Sequence, residues 1–465
     1  MQKSLSFCFH PPKNVSRAFH IKPVQTVAIS FAAVIFCGAI LLTLPIASKS
    51  GQSLGFLTAL FTSTSATCVT GLVVVDTYTS WTLFGQIVIL ALIQIGGLGF
   101  MIVATTFALA LGQKISLKER MILAESINRD DLQGVVSLTR KILIGTFVIE
   151  GTGAALLSIR FIPKFGVAKG IYFGIFHSIS AFCNAGFDIM GGYSGKFSNL
   201  GAFAEDPLVS IVIMSLIVIG GLGFAVLSDI ISRRGSSPAK LRLHTKLVLV
   251  TTGALLLFGF LFFFFAEYNN PKTLGSLSCG GKILAAMFMS VTPRTAGFNT
   301  INLASMRVSS IFVTIFLMFV GASPGSTAGG IKTTTFATIL LTVASVFKGR
   351  EDVEAFQKKL PRSLIKKAFV VAFIGLMQIC IVTTVLVSAD HVDLMSALYE
   401  TTSAFGTVGL TLGITSKLSA ISHIALIITM YFGRVGILSI ILAISNRSER
   451  GQAKFSFPEE KIAIG

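Results

Sequence analysis

Four short polar stretches, each ending in a glycine followed by Leu or Phe, recur along this chain at almost even intervals. They read Ser65-Ala66-Thr67-Cys68-Val69-Thr70-Gly71-Leu72, Ser180-Ala181-Phe182-Cys183-Asn184-Ala185-Gly186-Phe187, Val291-Thr292-Pro293-Arg294-Thr295-Ala296-Gly297-Phe298 and Ser403-Ala404-Phe405-Gly406-Thr407-Val408-Gly409-Leu410. Successive glycines lie 115, 111 and 112 residues apart, and each stretch falls between two long apolar segments. Repetition at a near-constant period marks one structural unit used several times. Here the unit is helix, short re-entrant loop, helix. Four glycine-bearing loops that converge on one axis can line it with backbone carbonyls, which is how a protein replaces the hydration shell of a cation.

The class of protein follows from composition. With 53% hydrophobic residues, 12% charged residues and a mean hydropathy of +0.81, the 465-residue chain reads as an integral membrane protein. Its net charge of +18 sits in short segments between apolar runs, the pattern of topology determinants. A nucleic-acid-binding face is therefore not expected. The six cysteines show no paired spacing and the six histidines no metal spacing, so neither a disulfide frame nor a zinc site is indicated. There is no HExxH motif and no pair of intramembrane aspartates, and no catalysis is expected.

Hydropathy and the repeat together predict an all-α membrane fold: eight spans and four half-buried pore helices around one pseudo-fourfold pore. The spans are placed near 24–46, 82–112, 138–160, 206–232, 244–268, 305–345, 364–388 and 419–445. The pore segments near 54–67, 170–183, 280–293 and 393–405 are too short to cross a ~30 Å core, and must enter and turn back. The first apolar run, Val24 to Ile46, exceeds a signal-peptide core and is read as a retained span. The expected organisation is an N-terminal segment 1–23, repeat 1 over 24–112, repeat 2 over 138–232, repeat 3 over 244–345 and repeat 4 over 364–445. Loops 113–137, 233–243 and 346–363 connect them, and 446–465 forms a tail. The segments on the side of the termini hold 26 Lys and Arg against nine on the other side, which predicts both termini in the cytoplasm of a multi-pass plasma-membrane protein.

The residues before and at each glycine are the candidate ion ligands: Val69, Thr70 and Gly71; Asn184, Ala185 and Gly186; Thr295, Ala296 and Gly297; Thr407, Val408 and Gly409. Glycine tolerates the backbone angles that keep several carbonyls on one line. Taken singly, each stretch could equally be small residues allowing close helix packing. Four in register favour a filter.

A second feature interrupts the sixth span. The run from Gly321 through Ser323, Pro324, Gly325, Ser326 and Thr327 to Gly329, Gly330 and Lys332 lies inside 41 residues that would otherwise form a helix of ~60 Å. Proline and four glycines make an unbroken helix unfavourable. Irregular backbone at this depth has to line the aqueous path, so the run is a candidate gate, with a packing kink as the alternative. Gly325 to Gly330 also has the glycine spacing of a phosphate-binding loop, but Ile331 occupies the lysine position and no strand precedes it.

Arg434 sits inside the last apolar span. A charge there costs ~2.5–3.5 kcal/mol on insertion scales and needs water or a partner. Two readings stand: a barrier on the pore axis, or an ion pair, with Glu150 as the candidate acid. Arg294 reads as a scaffold bonding pore-loop carbonyls, because a cation site rejects a cation. His177 reads as a hydrogen-bonded structural residue. Two identical copies of Ile-Gly-Gly-Leu-Gly-Phe, at 95–100 and 219–224, are accounted for by close helix packing.

These motifs resemble the Trk/Ktr/HKT superfamily of potassium transporters over essentially the whole chain. The carriers of the resemblance are Cys68-Val69-Thr70-Gly71-Leu72, Asn184-Ala185-Gly186-Phe187, Thr292 through Thr300, and Gly406-Thr407-Val408-Gly409-Leu410. The ending Pro458-Glu459-Glu460-Lys461 looks most like the Ktr membrane subunit. The resemblance implies potassium as the transported ion, sodium as a candidate activator, no covalent cofactor, and the 321–330 run as an intramembrane loop obstructing the pore beside Arg434. It also implies a homodimer in lipid, seated on a cytoplasmic nucleotide-binding regulatory ring. Sodium-selective members replace the first filter glycine by serine, so Gly71 argues for potassium over a sodium or mixed-cation path.

Overall fold

The computed structural model describes residues 23–99, 102–103, 105, 117–126, 134–233 and 237–436. It is built from helices, with one two-stranded hairpin, Glu354–Ala355 against Lys358–Lys359. Four units follow one another, each an outer helix, a pore helix and an inner helix. The first comprises α1 (Pro23–Thr43), α2 (Phe56–Thr67), the short α3 (Thr77–Ser80) and α4 (Leu83–Leu98). After α5 (Leu117–Ser126) come α6 (Val135–Phe165), α7 (Val167–Phe182) and α8 (Pro207–Leu222), which continues as α9 (Phe224–Ser232). The third unit has α10 (Leu243–Glu267), α11 (Cys279–Val291), α12 (Val308–Phe319) and, past a loop, α13 (Thr333–Phe347). The fourth has α14 (Arg362–Asp390), α15 (Leu394–Gly406) and α16 (Ala420–Val435).

Local sequence explains the helix starts. Asp206 caps α8 by accepting from the amides of Leu208 and Val209, with Pro207 at the first helical position. Thr82, Ser278, Asp393 and Ser419 cap α4, α11, α15 and α16 in the same manner. A side-chain oxygen here satisfies amides that have no partner inside the helix.

The outer helices α1, α6, α10 and α14 are the four described helices long and apolar enough to cross a membrane singly. Their outward faces carry exposed apolar residues such as Phe147, Phe265 and Phe373, as a lipid-facing surface requires. The inner helices are shorter because each breaks at the same place. Three stop at a glycine with φ near 90°: Gly99 (87°), Gly223 (92°) and Gly436 (90°). The fourth, α12, gives way at Val320 to the candidate gate run.

The segment 206–232 is thus not one straight span. It bends by 93° at Gly223. Apolar sequence continues through the break, so hydropathy does not reveal it, whereas the left-handed glycine imposes it. The expected interruption of 305–345 is present, separating α12 from α13. The portions of 82–112 and 419–445 beyond Gly99 and Gly436 lie largely outside the described residues.

The core sits between the pore helices and the inner helices. Phe61, Phe176, Phe182, Phe288 and Phe405 are buried there, together with Trp81 and Tyr399. Small residues bring the backbones together: a methyl on Gly96 would collide with the Thr67 carbonyl, one on Gly220 with that of Phe182, and one on Gly433 with that of Phe405. Three inner helices therefore rest directly on the last turn of their pore helix.

Candidate ion pathway

The pore helices α2, α7, α11 and α15 all end just before their glycines, and the chain leaves each in the same conformation. Val69, Asn184, Thr295 and Thr407 have φ of 51°, 57°, 65° and 50°, and Gly71, Gly186, Gly297 and Gly409 have φ of 91°, 69°, 78° and 90°. The residue between each pair is not left-handed. Such alternation keeps successive peptide groups facing one way, unlike the side-to-side zigzag of a strand.

The four glycines form a closed ring. A methyl on Gly71 would strike the carbonyl oxygen of Ala185, one on Gly186 that of Ala296, one on Gly297 that of Val408, and one on Gly409 that of Thr70. All four contacts would fall under 3.0 Å. Repeat one thus abuts two, two abuts three, three abuts four, and four returns to one. The ring brings together eight of the twelve sequence-predicted ligand positions: the four glycines and Thr70, Ala185, Ala296 and Val408 before them.

Hydrogen bonds behind the ring occupy the amides. Thr70, Ala185 and Val408 each donate at 2.8 Å to the carbonyl of the serine five residues earlier, and Ala296 donates at 3.0 Å to that of Thr292. Gly71 and Gly409 donate their amides to the Oγ atoms of Ser65 and Ser403, at 3.0 Å in both cases. Ser180 Oγ donates to the Phe187 carbonyl at 2.7 Å, and Thr292 Oγ1 donates to that of Phe298. With the amides held by the pore helix, the ring carbonyls are left without those intra-loop partners, each lying against the glycine of the adjacent repeat. Sequence reasoning did not single out these hydroxyls; a Ser or Thr five or six residues before each glycine was the available signal.

The 321–330 run folds across the inner side of the ring. Gly329 lies so close to Thr407 that a methyl there would overlap Thr407 Oγ1. The run is bonded to its neighbours: Ser323 N to Gly221 O at 3.1 Å, Thr327 Oγ1 to Phe182 O at 3.2 Å, and Gly330 N to Gly433 O at 3.3 Å. Gly325 accepts from Phe224 N at 2.9 Å, while Pro324 packs against Gly223. Within the run, Ser323 Oγ accepts from Thr333 Oγ1 at 3.2 Å and Ser326 Oγ from Ala328 N at 3.3 Å. Gly321 is pressed against Gly329 and Gly330 where the two ends of the run meet, and Val320 and Ile331 form a parallel bridge beside them.

Three cations hold this arrangement. Lys332 Nζ donates to the carbonyls of Ala328 at 2.8 Å and Gly329 at 3.3 Å. Arg434 donates through Nη1 to Thr327 O, and through Nη2 to Gly96 O and, at 3.1 Å, to Gly97 O. The Arg434–Glu150 ion pair is not formed. Glu150 instead accepts from Gln94 Nε2 at 3.2 Å on both oxygens. Arg294 does bond a carbonyl, but that of Gly321 in the run (3.2 Å) rather than one in the ring. His177 Nδ1 bonds its own helix at Phe173 O, 2.7 Å away, a structural role. Among the described residues no cluster of His, Cys, Asp and Glu could hold a metal ion.

Superposing the four breaks uncovers a copy of the glycine motif that the sequence concealed. Gly433-Arg434-Val435-Gly436 stands where the first two repeats have Gly96-Gly97-Leu98-Gly99 and Gly220-Gly221-Leu222-Gly223. Arg434 therefore occupies the position of a glycine.

Comparison with known proteins is consistent along the whole chain. A family model described as TrkH, cation transport protein, matches residues 2–454. The chain is 41% identical to the potassium/sodium uptake protein NtpJ of Enterococcus hirae, over 96% of this chain and 98% of that one. It is likewise 41% identical to the Ktr system potassium uptake protein B of Bacillus subtilis, over 95% and 97%. Among solved structures, the potassium transporter TrkH from Vibrio parahaemolyticus superposes with a TM-score of 0.72 at 16% identity, covering 93% of this chain and 86% of that one.

Proposed function

Because the chain belongs to the TrkH family of cation transport proteins, we propose that it carries potassium into the cell through the ring of Gly71, Gly186, Gly297 and Gly409. The observation that carries this reading is the closed order of the ring, in which each glycine faces a carbonyl of the next repeat. Backbone oxygens fixed from behind replace water around a cation without reorganising, and no chemical step is involved. The 321–330 run obstructs the path on the inner side, held there by Lys332 and Arg434. The basic face is cytoplasmic in this reading, the membrane is the plasma membrane, and a homodimer rests on a separate nucleotide-binding ring. The largest predicted cytoplasmic loops are too small to fold such a module themselves. The name Ktr system potassium uptake protein, carried by relatives, supports a multi-component assembly.

A second reading is mixed potassium and sodium transport, favoured by the potassium/sodium name of the Enterococcus relative. Flux into vesicles of purified protein decides between them. Potassium uptake that excess sodium leaves unchanged supports the first reading, and equal competition supports the second. Absence of any cation flux overturns both.

A further inference from the structure

The chain leaving the ring is tied down differently in each repeat. After the first glycine it is anchored at Asp76, whose Oδ2 accepts from Phe197 N of the second repeat at 3.1 Å. The second and third are stitched together: Leu200 N donates to Asn299 O at 3.1 Å, and Asn299 N to Asn199 Oδ1 at 3.3 Å. The fourth is held from within by Glu400, in the middle of its own pore helix.

Glu400 is fully buried. Its Oε2 accepts from Thr411 Oγ1 at 2.7 Å and its Oε1 from Thr415 Oγ1. Thr411 Oγ1 also accepts from Gly413 N at 2.9 Å, and the Thr415 carbonyl meets His423 Nε2 at 2.9 Å. None of the ion pairs among the described residues includes Glu400. The equivalent positions of the other pore helices, nine residues before each glycine, hold Thr62, His177 and Phe288. A buried carboxylate without a cationic partner is costly and persists only where its oxygens are well bonded. Here both are bonded to the segment that begins two residues after Gly409.

We infer that Glu400 is the positioning residue of the fourth loop. Through Thr411 and Thr415 it fixes Thr407-Val408-Gly409 against the first loop, and so sets how sharply the ring discriminates potassium from sodium. This rests on the ring being the filter. The side chain is effective because both of its oxygens accept from the segment that follows Gly409, which ties that segment back to the middle of the pore helix. The segment it anchors turns at Gly413, whose φ is 91° and whose amide donates to Thr411 Oγ1 at 2.9 Å.

The test uses the full-length protein in vesicles, with folded protein quantified before flux is measured. Glu400→Gln keeps the side-chain shape and removes the charge, and Thr411→Val with Thr415→Val removes the two donors. Each should lower the potassium-over-sodium preference about fivefold while leaving the maximal rate within about twofold, given the strength of charge-assisted bonds. All three substitutions combined should do no more than Glu400→Gln alone, because groups in one network are not additive. A folded Glu400→Gln variant with unchanged preference overturns the inference, as do effects that simply sum. Should Glu400→Gln not fold, the double threonine variant decides by the same criterion; failure of both to fold assigns the network to stability and overturns it too. Gly409→Ser runs alongside. If it too leaves ion preference unchanged, the filter reading itself falls. If it shifts preference while Glu400→Gln does not, the assignment of Glu400 alone falls.

Discussion

Arg434 bridges to Thr327: one guanidinium nitrogen donates to the Thr327 carbonyl in the 321–330 run, and the other to Gly97 O at 3.1 Å at the end of the first inner helix. A single side chain of the fourth repeat thereby pins a loop of the third to a helix of the first. Its planar fork suits two carbonyls at once, which a lysine ammonium does not reproduce.

Replacing Arg434 by alanine should release the run and raise potassium flux per folded molecule about tenfold, the equivalent of one charge-assisted hydrogen bond. Arg434→Lys should give an intermediate rise. The measurement is vesicle uptake normalised to folded protein. Reduced yield with unchanged flux per molecule would give Arg434 a purely structural role.

Shortening the run by removing Gly325 through Gly330 should act in the same direction. The deletion takes away the bonds from Gly325 to Phe224, Thr327 to Phe182 and Gly330 to Gly433. A variant that folds normally yet conducts no faster than the parent would remove the run from the gate.

Serine at Gly71 should let sodium compete with potassium. The added Cβ meets the Ala185 carbonyl head-on, and the φ of 91° is strained for any side chain, so the loop has to shift. Uptake at low potassium, with and without excess sodium, reads the effect. Unaltered sodium sensitivity in a folded variant would take Gly71 out of the filter.

Uptake should depend on external pH through Asp188, which lies two residues beyond Gly186 and outside every helix. Burial raises its carboxyl to about 7; the Met190 amide, donating to Oδ1 at 2.9 Å, opposes this, and nearby Asp76 adds to it. Asp188 is therefore neutral below about 7 and negative above, so apparent potassium affinity should improve as pH rises from 6 to 8. Because the folded-state value exceeds the ordinary one, native stability falls as pH rises from the ordinary carboxylate range to about 7 and is level above it. Asp188→Asn should flatten both profiles. Parallel pH dependence in parent and variant would assign the titration elsewhere.

The ring glycines were legible in the sequence because one structural need, a left-handed residue at a crowded axis, recurs four times at one spacing. The broken sixth span was legible because proline and glycine have few uses inside an apolar helix. Other features left no comparable trace. The partners of Arg434 are backbone carbonyls, which every residue has, so residue types suggested the acid Glu150 as one candidate; for Arg294 a carbonyl partner was expected, but not that it would be Gly321. The bend at Gly223 was hidden because hydropathy runs unchanged across it. The fourth inner-helix motif was hidden by Arg434 itself, which replaces one of the glycines that would have announced it.

Among the described residues, the break after the second inner helix is the single residue Gly223, whereas the break after the third is the whole run 320–332. Fourfold construction and single-armed closure are thus separate properties of this molecule. In the proposed function, closure is the task of this run and ion choice that of the glycine ring. On that proposal, substitutions in the run alter openness and substitutions in the ring alter ion choice, except where the two touch at Gly329 and Thr407.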